Sequence, residues 1–288
     1  DTELEAARQL GELYAEAGRY GDALDVMSQA RLRQPGSTAA RAIASDMDAL
    51  FRRLFLEDEA ARMSPLEALS LFNEYASLTP QGADGDRMVR RVAERLVAVD
   101  LLDPAAQLLQ HQVDNRSMPA QARAAIASDL AVIYLMGRRH EEALRTLRAT
   151  RVTGLASSLV TERRLLEARA MAGIGRADHA LEMIGDDDSP QARRLRADIA
   201  WEQRDWANAA RGLEAVLGAR WREDAPLNDT ESRDVMRAAI AYALAGDSGS
   251  LERIAARYGD AMAVTRHRGG FSLVTTELPA PGDRRLTE

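Results

Sequence analysis

The sequence predicts an all-α fold, an α-solenoid of about seven antiparallel helix pairs. Three observations lead there. Alanine, leucine, arginine and glutamate dominate the chain and aromatic residues make up only 5% of it, a mixture that favours helix over strand. Small and apolar residues return at related offsets in stretch after stretch, as in repeats whose units cannot bury their apolar faces alone. Helix-start and helix-stop signals fall between those stretches.

Residues 4–36 carry the clearest unit, with Ala7, Leu10, Gly11 and Tyr14 followed by Gly18, Ala23, Met27, Ala30 and Pro35. Small residues at Gly11 and Ala23 let two antiparallel helices approach, while Leu10, Tyr14 and Met27 fill the seam between them. Gly18 makes the turn, using backbone angles that other residues avoid. Pro35 ends the second helix because it has no N–H to donate and its ring clashes with the preceding turn. These offsets resemble the tetratricopeptide repeat, with its L-G-x2-Y, A-x3-F and closing proline over about 34 residues. Ala7 stands where that pattern has tryptophan and Met27 where it has phenylalanine.

Further copies follow along the chain. Ala68, Phe72 and Pro80 read as the second half of a unit whose first helix is long, roughly residues 39–62. Ala93, Leu96, Ala105 and Leu109 suggest another, and Ala131, Tyr134, Ala143 and Leu147 repeat the Gly11, Tyr14, Ala23 and Met27 offsets. Gly175, Ala180 and Ile184 do so again. The stretch RDWANAARGL, residues 204–213, parallels GRYGDALDVM, residues 18–27, with Trp206 in the place of Tyr20. Ala239, Tyr242, Gly246, Leu251 and Ala255 give a last copy. Ser64-Pro65 with Glu67 has the cap serine, first-turn proline and capping-box glutamate of a helix start. Asp103-Pro104, Ser189-Pro190 and Asn228 with Glu231 are similar starts. Unit spacing runs from roughly 29 to 42 residues, against about 34 in the regular repeat. The solenoid is expected over residues 1–259, and residues 260–288, with the run from Phe271 to Leu278, as a C-terminal cap or flexible tail.

The charge balance narrows the partners. Net charge is −7 with a pI near 5.3, and both signs are interspersed, so nucleic acid is not expected as partner. Every one of the 38 basic side chains is arginine, which rules out a phosphate loop built on lysine. There is no cysteine, so disulfides and thiolate metal sites are excluded. The longest uncharged apolar stretch, near Leu130 to Met136, is far short of a membrane span, and no membrane insertion of this segment is expected. The chain opens on Asp1 without a methionine and is expected to be a piece of a longer protein. Cytoplasm and periplasm both stay open, inside a larger membrane-associated protein or outside one.

No catalytic, cofactor or metal site is expected. His111, His140, His179 and His267 are scattered, and His140 and His179 read as turn residues between paired helices. Asp186-Asp187-Asp188 lacks the alternating carboxylates of a calcium loop and reads as a solvated linker. The stretch Gly246-Asp247-Ser248-Gly249-Ser250 misses the spacing of a nucleophile elbow and follows a helix instead of a strand. Trp206 is expected in the core, and Trp201 is a weaker candidate for the groove.

The resemblance to tetratricopeptide proteins implies a right-handed superhelix whose concave face is lined by the first helix of each pair. Carried over by offset, that face holds Arg8, Glu12, Arg90, Arg91, Glu94, Asp129, Arg169, Arg194, Asp198 and Arg237. Their alternating signs suit an extended peptide or partner helix of mixed charge. The carboxylate clamp of chaperone-binding members needs lysines and asparagines, and Arg8 and Glu12 depart from it. The expected function is a protein-interaction scaffold or adaptor, not an enzyme, in a bacterial envelope or motility assembly. The alternative is an accessory helical domain of a larger enzyme or exopolysaccharide-export machine.

Overall fold

The computed structural model describes residues 2–114 and 118–277. Among these residues the regular structure is entirely helical. The chain divides into two compact units, Asp1–Ala156 and Ser157–Glu288. The first unit holds four helix pairs: α1 (Thr2–Glu16) with α2 (Tyr20–Arg33), α3 (Thr38–Leu56) with α4 (Pro65–Glu74), α5 (Ala83–Ala98) with α6 (Leu102–Asp114), and α7 (Ala120–Met136) with α8 (His140–Ala149). The second holds three: α9 (Ser157–Gly173) with α10 (Ala177–Ile184), α11 (Pro190–Glu202) with α12 (Trp206–Leu217), and α13 (Asp229–Ala245) with α14 (Ser248–Ala263). A short helix, α15 (Arg268–Ser272), and a π-helical turn, Leu273–Glu277, follow.

Six of the seven pairs reverse direction through the same turn. One residue just past the end of the first helix takes a left-handed backbone, with φ 75° at Gly18, 62° at Asp100, 58° at Arg138, 81° at Gly175, 59° at Arg204 and 71° at Gly246. The next residue donates its N–H five positions back: Arg19 to Tyr14 at 2.8 Å, Leu101 to Leu96 at 2.9 Å, Arg139 to Tyr134 at 2.7 Å, Arg176 to Met171 at 2.9 Å, Asp205 to Ala200 at 2.9 Å, and Asp247 to Tyr242 at 3.0 Å. This pattern satisfies carbonyls that the helix end would otherwise leave unpaired. Glycine occupies half of these positions, so half of the turns carry no glycine signature.

The second pair departs from the pattern. Helix α3 stops at Leu56, Asp58 turns left-handed at φ 69°, and a 3-10 turn, Glu59–Arg62, precedes α4. The single long helix expected over residues 39–62 is therefore broken. Ser64 caps α4 through the expected capping box, Ser189 caps α11, and Asn228 with Glu231 closes the capping box of α13.

Small residues set the spacing within pairs. A β-carbon on Gly11 would lie 2.7 Å from Met27 Cγ, and one on Gly212 would lie 2.9 Å from Ala197 Cβ. Ala23, Ala105, Ala143, Ala180 and Ala209, at one repeat position, are all buried, as are Met27, Leu109, Leu147, Ile184 and Leu213 at another. Leu10, expected in the seam, is instead exposed, because the α1–α2 contact runs through Gly11 and Leu4. In the last pair the buried register passes from the expected Leu251 and Ala255 to Ile254, Tyr258 and Met262. Phe271 and Val274 join the core formed by α12, α13 and α14, so the segment after the last pair lies against it as a short covering element. Residues 278–288, including Leu278, fall outside the described residues.

Candidate partner-binding face

Within each unit, first helices of neighbouring pairs are joined by ion pairs, each spanning about one repeat of sequence. In the first unit Arg8 of α1 pairs with Asp46 of α3, Arg52 of α3 with Asp84 of α5 at 2.8 Å, and Arg90 of α5 with Asp129 of α7 at 2.7 Å. In the second unit Asp198 of α11 lies between Arg169 of α9 at 3.4 Å and Arg237 of α13 at 2.9 Å. Arg194 of α11 grips Asp234 of α13 through both terminal nitrogens, at 2.5 Å each. The Asp234 side chain is only 3% exposed. Hydrogen bonding to Asp234 raises the pKa of the Arg194 guanidinium above its ordinary value. Hydrogen bonds from Arg87 and Arg52 hold the Asp84 carboxyl below the usual carboxylate range.

Most of the residues expected on the groove face thus meet a charge of their own chain. The structure brings Arg90 to Asp129, and Arg169, Asp198 and Arg237 to one another. It gives Arg8 and Arg194 the partners Asp46 and Asp234, which the sequence reasoning missed. Glu12 is exposed and lies 3.9 Å from Arg8. Arg91 is exposed on another side of α5 and donates to the Leu56 carbonyl. Glu94 is exposed and has no ion-pair partner among the described residues. The missed partners were findable: Arg8 to Asp46 and Arg194 to Asp234 are separated by 38 and 40 residues, close to one repeat, so opposite charges one repeat apart were the signal.

Two clefts open along these helices, one in each unit. The first, about 360 Å³, lies between α5 and α7. Its floor is apolar, with Val97, Leu109, Val132, Ile133 and Met136, and its rim carries Arg90, Glu94 and Asp129. The second, about 790 Å³, lies between α9 and α11, with Leu165, Leu166 and Leu195 on the floor and Arg169, Arg194, Glu162 and several hydroxyls around them. Both combine an apolar floor with charged side chains at the rim.

The remaining candidates find structural places. Trp201 meets Trp206 edge-to-face at 5.4 Å, Arg237 lies 4.6 Å over the Trp201 ring, and both indoles pack against the α11–α14 core. His140 and His179 are not in turns: His140 opens α8 and His179 lies in the first turn of α10. Within the Asp186–Asp188 run, Asp187 accepts the Ser189 N–H at 2.9 Å and pairs with Arg164 at 2.6 Å. It tethers the start of α11 instead of lying free in solvent, and the Ser189 hydrogen bonds depress its carboxyl pKa. Asp247, inside the Gly-Asp-Ser-Gly-Ser stretch, caps α14 through the Ser250 N–H at 3.0 Å. Among the described residues no three His, Asp or Glu side chains gather as a metal site, and no helix is long and apolar enough to cross a membrane.

Successive hairpins that share one left-handed turn and a seam of small residues make this an all-α helical-repeat fold, the fold that the tetratricopeptide resemblance implies. Among solved structures, a tetratricopeptide repeat protein from Parabacteroides merdae ATCC 43184 is similar over 96% of this chain and 98% of that chain, with 12% identity and a TM-score of 0.47. No protein-family model and no curated protein sequence matches the chain.

Proposed function

We propose that the chain is a protein-interaction scaffold that binds a peptide or helix of a partner protein along the face of its first helices. The observation that carries this reading is the α5–α7 cleft. Val132 and Met136 are exposed beside a rim of both charge signs, on helices held by the Arg90–Asp129 pair. Apolar anchors beside orienting charges on a rigid support are what peptide recognition requires. The proposed role is binding and not catalysis. Service in a bacterial envelope or motility assembly rests on the family resemblance, and the identity of the partner decides it.

The test is photo-crosslinking from position 132 of the full-length protein in its native organism. The controls are Met136→Asp and Glu94→Arg, exposed substitutions that leave the ion pairs between first helices intact. A defined protein crosslinked by the parent and reduced at least tenfold in both controls, with unchanged circular dichroism, is the expected result. Recovery of polysaccharide alone, or of a partner indifferent to both controls, would overturn the reading.

A further inference from the structure

The repeat turn gives the α5–α7 cleft an internal counterpart on α11 and α13. Counted back from the left-handed residue of each turn, Val97, Val132 and Met136 stand where Trp201, Ile240 and Leu244 stand. Both faces are therefore apolar at the same three places. Glu94 stands where Asp198 stands, and Arg90 where Arg194 stands. Each of these arginines engages an acid of the next first helix, Asp129 for Arg90 and Asp234 for Arg194.

One position carries the opposite charge in the two faces. Asp198 accepts from Arg237 of α13 at 2.9 Å, and the same guanidinium lies 4.6 Å over the Trp201 ring. The α11–α13 face thus supplies its own cation, laid across apolar surface to reach the acid. On α7 the place of Arg237 is taken by Asp129. The α5–α7 rim therefore sets two carboxylates, Glu94 and Asp129, against one guanidinium, Arg90. Arg90 is committed to Asp129 at 2.7 Å, and Glu94 has no ion-pair partner among the described residues. Ala98 and Met136, the last residues of α5 and α7, line the same cleft, so two helix C-termini add their negative ends to it.

We infer that the occupant of the α5–α7 cleft is a partner segment that sets an arginine or lysine beside a large apolar side chain. The inference rests on the reading of this cleft as the peptide site. The apolar side chain covers Val132, Ile133 and Met136. The stem of the basic residue lies across Val97 and its head pairs with Glu94, in the place that Arg237 fills on the counterpart face.

The probe is a phage-displayed library of random dodecapeptides. It is panned on the whole parent chain and on its Met136→Asp, Glu94→Gln and Glu94→Arg variants, all at exposed sites and each with unchanged circular dichroism. Peptides retained by the parent and lost on Met136→Asp are expected to carry a basic residue next to a large apolar one. A fluorescein-labelled peptide of that set, followed by anisotropy, should bind Glu94→Gln about fourfold more weakly, as an exposed charge pair implies. The difference should close at high salt. Glu94→Arg should weaken binding at least about tenfold, and exchanging the peptide's basic residue for glutamate should restore it, as coupled partners require. Glu252→Gln, at an exposed acid of α14, should change nothing. Met136-dependent peptides that lack a basic residue, or that ignore both Glu94 variants, would overturn the inference and leave the cleft reading standing. An equal loss in Glu252→Gln would overturn it too, since net charge alone would then account for the binding. The absence of any Met136-dependent peptide would remove the cleft reading and the inference with it. So would a dimer of the chain, seen by light scattering, that Met136→Asp dissociates, because the cleft would then belong to a second copy.

Discussion

The Tyr242 hydroxyl donates to the Glu214 carboxylate at 2.5 Å, closing a latch between the last helix pair and the one before it. Arg253 and Arg257 bind the same carboxylate at 2.8 and 3.0 Å, so Glu214 gathers α12, α13 and α14 at one point. The Tyr134–Gln110 bond at 3.1 Å is its neutral counterpart in the first unit. Hydrogen bonds to a charged group contribute about 1.5–3 kcal/mol and neutral ones about 0.5–1.5. Tyr242→Phe should cost about 1.5 kcal/mol, at the low end because both arginines keep Glu214 paired. Trp201, Trp206 and Trp221 all lie in the second unit, so the urea midpoint of tryptophan fluorescence reads this loss. Tyr134→Phe should cost about 1 kcal/mol or less, seen as faster amide exchange in α6 and α7.

Two glycines of the second unit should respond to alanine with opposite signs. At Gly212 the added methyl would meet Ala197 Cβ at 2.9 Å and Ala197 Cα at 3.2 Å, so the α11 backbone must move. Overpacking of this kind costs about 1–3 kcal/mol. At Gly259, within α14, a methyl would meet nothing within 4 Å, and alanine gains about 0.5–1 kcal/mol of helix propensity. Gly212→Ala should lower the urea midpoint and Gly259→Ala should raise it, with tryptophan fluorescence reading both.

The repeat turns give a third prediction. Arg138 and Arg204 hold φ values of 58° and 59°, a conformation that costs a residue with a β-carbon about 1–2 kcal/mol. Glycine removes that cost and adds some unfolded-state entropy, leaving a net gain of about 0.5–1 kcal/mol. Arg204→Gly should therefore raise the urea midpoint of the second unit, whereas Gly175→Ala, at φ 81°, should lower the thermal stability of its pair.

The same turns explain what the sequence made legible and what it hid. Gly18, Gly175 and Gly246 announce their turns, and the buried alanines and their partners announce the seams, so the all-helical repeat and its seven pairs could be read in advance. Asp100, Arg138 and Arg204 adopt the same backbone without announcing it, because hydrogen bonds five residues back hold them there. The break at Asp58 was hidden too, because Asp58 takes a left-handed backbone at φ 69° without being glycine. Side-chain direction was harder still. Leu10 matches the repeat pattern by position, yet whether that position is dry depends on a neighbour one repeat away. The charged residues lie on first helices of their pairs, and the engagement of Arg8 with Asp46 and of Arg194 with Asp234 depends on the stacking of neighbouring pairs, which no single repeat encodes.

Stability should form a plateau in pH and fall on both sides. Asp187, Asp205 and Asp247 accept N–H groups at helix starts, and those hydrogen bonds lower their carboxyl pKa values. Burial works against Glu214, yet hydrogen bonds from Arg253 and Tyr242 outweigh it and leave its pKa lowered. Groups depressed in the folded state stabilise above their ordinary pKa of about 4, and that contribution is lost as pH falls below it. Burial first, then the Glu214 carboxylate, pushes the Tyr242 phenol up to about 12. A group raised in the folded state stabilises below its ordinary pKa, so this contribution disappears as pH climbs from about 10 towards 12. Melting temperature followed by tryptophan fluorescence should hold level from about pH 5 to 10 and drop outside that range. Tyr242→Phe should soften the alkaline drop, and the part that remains belongs to Tyr258, whose burial raises its phenol as well.

The Arg194–Asp234 pair makes the most discriminating prediction. Asp234 is buried and gripped at 2.5 Å by both guanidinium nitrogens. Removing one member of such a pair leaves an uncompensated charge in a poorly solvated place, which costs about 3–5 kcal/mol. Arg194 is 27% exposed, so water reaches part of the site and the loss in Arg194→Ala should sit at the lower end, about 3 kcal/mol. The double variant Arg194→Met with Asp234→Leu removes both charges and should cost less than Arg194→Ala, read as the urea midpoint of tryptophan fluorescence. A double variant that costs as much as Arg194→Ala would mean that the single loss is not that of an unpaired buried carboxylate, and that the pair does not join α11 to α13 as the structure shows.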